Sequence, residues 1–101
     1  MAPENLVDHA VLSAVADQMM DGGEVRVEGR SFRVMRTGAQ RLRTVRFVAG
    51  GKEYQAIEQN PEKPSQWGKL AREGHRVVQL RDLETEKYVA VAVDGKVKKY
   101  G

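Results

Sequence analysis

Residues 24–58 read EVRVEGRSFRVMRTGAQRLRTVRFVAGGKEYQAIE, and the alternation in this stretch decides the fold. Val25 and Val27 flank Arg26, Phe32 and Val34 flank Arg33, Val45 and Phe47 flank Arg46, and Tyr54 and Ala56 flank Gln55. A period of two is that of strands with one face buried. Three turn signals divide the stretch: Glu28-Gly29-Arg30-Ser31, Thr37-Gly38-Ala39-Gln40 and Gly50-Gly51. If Gly29 opens a two-residue II′ loop, Val27 pairs with Phe32 and Val25 with Val34. The same register sets Arg26 against Arg33, an unfavourable pairing of like charges. A Gly50-Gly51 loop sets Phe47 against Tyr54 and Val45 against Ala56. All three turns then agree on one inner face: Val25, Val27, Phe32, Val34, Val45, Phe47, Tyr54 and Ala56.

On the N-terminal side the period is 3.6. Residues 4–21 read as a helix, begun after Pro3 and stopped by Gly22-Gly23. Val7, Val11, Leu12, Val15 and Met19 share its apolar face, with Asn5, His9, Ser13 and Asp17 opposite. On the C-terminal side, Pro61 and Pro64 end the meander. Ser65 is placed to cap a short helix over 66–73, with Gly74 closing it. Gly68 costs that helix about 1 kcal/mol relative to Ala. Strands follow at 76–81 and 87–93, the second nearly all apolar and therefore central. Asp94-Gly95 is a type I′ hairpin signal leading into a last strand with Lys96, Lys98 and Lys99. The expected architecture is α+β in a single domain, 1–101. An N-terminal helix packs on a curved, mostly antiparallel sheet of six or seven strands, with a short helix inserted between two meanders.

Composition narrows the chemistry. The 101 residues include 17 Lys+Arg, 14 Asp+Glu, two His and no Cys. Without Cys there are no disulfides, thiol nucleophiles or thiolate metal sites. No apolar run approaches the ~18 residues of a membrane span. The acidic N-terminus does not read as a signal peptide, so a cytoplasmic protein is expected. His9 on the polar arc of the first helix and His75 beside Gly74 form no metal-binding spacing. Ser13, Ser31 and Ser65 sit in no nucleophile motif, and the carboxylates fall into no acid–base pair. The Gly pairs do not follow a strand and open a helix, as a phosphate-binding loop requires. A non-enzymatic protein without a cofactor is therefore expected.

The charge is unevenly placed. Residues 1–24 sum to −5, residues 25–52 to +7 and residues 53–101 to +1. One reading sets the acidic helix against the basic strands; the other makes the strands a cationic surface for an anionic partner. Between Arg26 and Arg46 lie seven Arg and no Lys. Arg presents a rigid donor fork suited to phosphate and carboxylate. The candidate anion or nucleic-acid residues are Arg26, Arg33 and Arg46 on the outer strand face, with Arg36, Arg41 and Arg43 around the Gly38 turn. Phe32 and Phe47 point inward on this register, so that face has no aromatic row on which bases stack. Met35, Leu42 and Ile57 also reach the outer face, where a helix or a second subunit would cover them. Trp67 is either the attachment of its short helix or an interface anchor. The leading expectation is an interaction module for a protein partner or a second copy of itself. The alternative is a nucleic-acid binder using the arginine face.

Overall fold

The computed structural model describes residues 9–100. Helix α1 (His9–Asp21) is followed by β1 (Glu24–Val27), β2 (Arg30–Arg33), β3 (Met35–Thr37), β4 (Leu42–Ala49) and β5 (Lys52–Glu58). Helix α2 (Gln66–Arg72) then precedes β6 (Val77–Asp82), β7 (Lys87–Val93) and β8 (Lys96–Lys99). Every ladder is antiparallel. The expected α+β architecture is present, and its main sheet has six strands; the eight strands among the described residues include a separate two-stranded ribbon. The ribbon is β1-β2, and the six-stranded sheet runs in simple sequence order from β3 to β8. The expected start of the first helix at residues 4–8 lies outside the described residues.

The ribbon's register differs from the expected one. Val25 faces Phe32, Val27 faces Arg30, Arg26 faces Ser31 and Glu24 faces Arg33. The loop is Glu28-Gly29, with φ of 51° and 81°. Two positive φ values make a type I′ turn, whose twist matches that of the flanking strands. Electrostatics favours the same choice. The expected loop opposed Arg26 to Arg33, whereas this one opposes Glu24 to Arg33 and lets Arg26 Nη1 donate to Ser31 Oγ at 2.9 Å. The side-chain alternation is unchanged, so Val25 and Val27 remain buried. Past β2 the chain changes sheets at Val34, whose N–H donates to the Gly23 carbonyl at 2.9 Å.

The Gly50-Gly51 register is as expected, with Phe47 opposite Tyr54 and Val45 opposite Ala56. These residues and the ribbon valines meet Leu12, Val15, Ala16 and Met19 of α1 in one core. Phe32 and Val34 pack at its margin. Helix α1 and the ribbon therefore cover one face of the six-stranded sheet. On the opposite face, α2 packs over β6, and Val77 and Val91 are buried there. Both faces of β7 are thus covered over part of its length, as its apolar sequence requires. Among the described residues, no helix is long and apolar enough to cross a membrane.

Ser65 caps α2, its Oγ accepting from the Gly68 N–H at 3.2 Å. The turn after β6 is held by Asp82, which is buried. Its carboxylate accepts from Lys52 Nζ at 2.7 Å and from the Glu84 N–H at 2.8 Å. The Lys52 hydrogen bond, aided by the backbone amides of Glu84 and Thr85, holds the Asp82 carboxyl below its ordinary 3.8. A lowered carboxyl pKa stabilises the fold above the unfolded value, and that contribution is lost as pH falls through the folded value. Asp82→Asn is therefore expected to be less stable than the parent at neutral pH, by about 1–2 kcal/mol. The gap should close as the pH falls below 3.8. Urea midpoints measured from pH 7 down to 2.5 test this; a gap that stays constant would remove the charge from the explanation.

Candidate functional site

The ladders divide the six arginines singled out in the sequence. Arg26 and Arg33 lie on the outward side of the ribbon. Arg36 and Arg43 face one another across β3 and β4 on the core side, at a rim shared with Met20, Asp21 and Val34. Arg43 pairs there with Glu58 at 3.4 Å, and Arg36 Nη1 donates to the Arg41 carbonyl at 2.9 Å. Arg41 belongs to the turn after Gly38, with φ of 57°. Arg46 alone of the six stands on the face of the six-stranded sheet away from α1, at the end that α2 leaves open. The expected row of Arg26, Arg33 and Arg46 is therefore not one strand face, because no ladder joins β2 to β4. The acidic helix does meet a basic side chain, through Asp21 and Arg76 of the loop before β6. That hydrogen bond lowers the Asp21 carboxyl and raises the Arg76 guanidinium, with Arg43 adding to the field at Asp21.

The sheet gives Arg46 different neighbours. Arg46 pairs with Gln55, Gln55 with Arg81, and Arg81 with Tyr88. The four side chains make a straight row across β4, β5, β6 and β7, on the face away from the core. Three strand spacings make this row about 14 Å long. A β-bulge at Leu80/Arg81 brings Arg81 opposite Tyr88; without it the pairing would have reached Val89. Arg46 is exposed, and among the described residues its side chain makes no hydrogen bond or ion pair. Arg81 is loosely held by Glu86, at 3.6 Å. Lys98 lies on the same face, opposite Val91, and Lys96 opposite Val93.

Beyond Tyr88 the row ends in an open cleft lined by Gln59, Ser65, Trp67, Gln79, Tyr88 and Tyr100. Tyr88 and Tyr100 are exposed at 50% and 38%. Tyr100 Oη donates to Gln79 Oε1 at 2.7 Å, Gln79 Nε2 donates to Gln59 Oε1 at 2.9 Å, and Gln59 Nε2 donates to the Asn60 carbonyl at 3.1 Å. This chain of bonds sets the orientation of both amides. Burial raises the Tyr100 phenol, with the Gln79 bond acting in the opposite direction. Trp67 is half-buried and stands between this cleft and a second groove that runs past Leu70, His75, Val93 and Lys96. His75 Nδ1 and Asp94 Oδ2 lie 2.7 Å apart at its end. The Arg76 amide, followed by His75, lowers the Asp94 carboxyl.

The aromatic cleft is absent from the sequence-level reading, which took the outer face as that of the first strands alone. Tyr88 and Tyr100 come from the far end of the chain. Alternation gave no signal for Tyr88, which shares the parity of the buried Ala90 and Ala92 and reaches the outer face only through the bulge at Leu80/Arg81. Met35, Leu42 and Ile57 stand on the same outer face toward its β3 edge, with Met35 55% exposed. Helix α2 covers the other end of the face rather than these three. Among the described residues, no group of three His, Asp or Glu side chains stands close enough to hold a metal ion. No family model, curated protein or solved structure matches the chain.

Proposed function

We propose that this protein is a non-enzymatic binding module that holds single-stranded nucleic acid against the open face of its six-stranded sheet. The row Arg46–Gln55–Arg81–Tyr88, continued by Tyr100, supports this reading. It places cationic, amide and aromatic groups in one line, the combination that binds phosphates and stacks bases along a flexible strand. Lys96 and Lys98 add charge at one end, and Glu53 is the one acid that the ladders place on this face. The cytoplasm, where such strands are met, suits a chain without Cys.

The test is fluorescence anisotropy of labelled 15-nucleotide RNA and DNA over a salt series, with polyglutamate as competitor. Affinity should fall as salt rises. Arg46→Ala and Lys98→Ala should each lower the slope of log K against log salt by about 0.7. Absence of binding at low salt, or a slope unchanged in the double variant, overturns the reading. Equal competition by polyglutamate would reassign the face to an acidic protein.

A second reading, an interface between two copies of the chain, draws on Met35, which is 55% exposed beside Leu42 and Ile57. Sedimentation of the parent and of Met35→Lys tests it. A dimer lost on substitution supports the interface, and a monomer at high concentration removes it.

A further inference from the structure

Six aromatic residues occur in the chain: two Phe, three Tyr and one Trp. Phe47 and Tyr54 stack in the core with ring centroids 5.6 Å apart. Phe32 packs at the core margin beneath the Arg30 guanidinium. The other three, Trp67, Tyr88 and Tyr100, line the same cleft. They come from α2, β7 and the residue after β8, and none of them belongs to the core cluster around Phe47. Two of the three are exposed. Leaving large aromatic surfaces in water forgoes burial worth about 25 cal/mol per Å². The floor between them is polar and held in one orientation by the Tyr100–Gln79–Gln59 bonds. Each glutamine Nε2 carries two N–H groups, and one is used on each: Gln79 donates to Gln59 Oε1 and Gln59 to the Asn60 carbonyl. Among the described residues, Tyr88 Oη has no hydrogen-bond partner. A planar ring with polar edges fits such a site: its faces meet the aromatics and its edge meets the amides.

We propose that this cleft seats one unpaired base of the bound strand, and that it is the element that selects single-stranded over double-stranded nucleic acid. The proposal rests on the nucleic-acid reading above and assigns a distinct part of the face. The Arg46 end meets phosphate, and the Trp67–Tyr88–Tyr100 end takes the base. A duplex keeps its bases stacked and paired and offers none to the cleft. Because Trp67 is the sole tryptophan, its emission reports on the cleft directly.

The test titrates the full chain with three 15-nucleotide probes at one salt concentration. They are a single-stranded DNA, its duplex, and the same strand with a run of abasic sites. Anisotropy of the labelled probe and Trp67 emission are both recorded. The single strand should quench Trp67 and bind roughly 10- to 100-fold more tightly than the abasic strand. Tyr88→Ala, at an exposed position without a hydrogen bond, should remove most of that preference and leave the salt slope unchanged. Tyr100→Phe keeps the ring and loses the Gln79 bond, and should retain the quenching. If the intact and abasic strands bind equally, or the strand binds without changing Trp67 emission, the base seat is overturned and the phosphate-binding face stands. If no probe binds at low salt, both readings fall.

Discussion

Phe47→Ala should cost about 3–5 kcal/mol, a large part of the ~5–15 kcal/mol that holds a domain of this kind together. Phe47 is 1% exposed, stacks on Tyr54 and sits where α1, the ribbon and the sheet meet. Truncation removes the ring from all three layers at once. The backbone around it is held by the β4–β5 ladder and cannot collapse freely into the space. Arg46→Ala, one residue away, should change stability by no more than about 0.5 kcal/mol, since Arg46 faces solvent on the other side of the sheet. The contrast tests the register itself, because a slip of one residue exchanges the two faces. Urea denaturation of both variants decides it. Similar losses at the two positions would sink the assigned register.

The second large effect is expected at Gly68. By helix propensity alone, Gly68→Ala should stabilise α2 by about 1 kcal/mol. The structure reverses the sign. A Cβ at Gly68 would lie 2.1 Å from the Lys63 carbonyl oxygen and 2.9 Å from its carbon. Both are backbone atoms, in a loop tied to the same helix. Arg72 Nη1 donates to the carbonyls of Pro61 at 2.6 Å and Lys63 at 3.0 Å. The loop cannot retreat without breaking those bonds, so the variant should lose about 1–3 kcal/mol. In a domain of this size that corresponds to a fall in Tm of at least about 4 °C. Displacing α2 also moves Trp67, so the tryptophan emission of the variant should shift toward that of exposed indole. A rise in Tm would show that propensity outweighs the close approach.

Gly68 illustrates what could be read from the chain and what could not. Its cost to the helix is a local quantity and was legible. The reason for paying it is the approach of a loop five residues away, which no propensity carries. The ribbon shows the same division at shorter range. Alternation of Val25, Val27 and Phe32 specified which side is buried. The choice between a Glu28-Gly29 and a Gly29-Arg30 loop turned on twist and on the Arg26–Arg33 repulsion, two effects whose balance the pattern does not contain.

The candidate site divides in a similar way. Arg46 was placed on the outer face by its position between Val45 and Phe47, and that placement holds. Its grouping with Arg26 and Arg33 does not, because the chain leaves one sheet for another at Val34. Its actual neighbours, Gln55, Arg81 and Tyr88, are up to 42 residues away and are joined to it only by ladders.

By itself the sequence determined the element types, the meander order and the inner face, since all three follow from periodicity and short turns acting over a few residues. The tertiary structure alone decided which outer positions stand side by side, and so brought Arg46, Arg81, Tyr88, Tyr100 and Trp67 onto one surface. Lateral strand pairing sets that adjacency over distances in the chain at which local preferences carry no information, and the bulge at Leu80/Arg81 shifts it by a full residue.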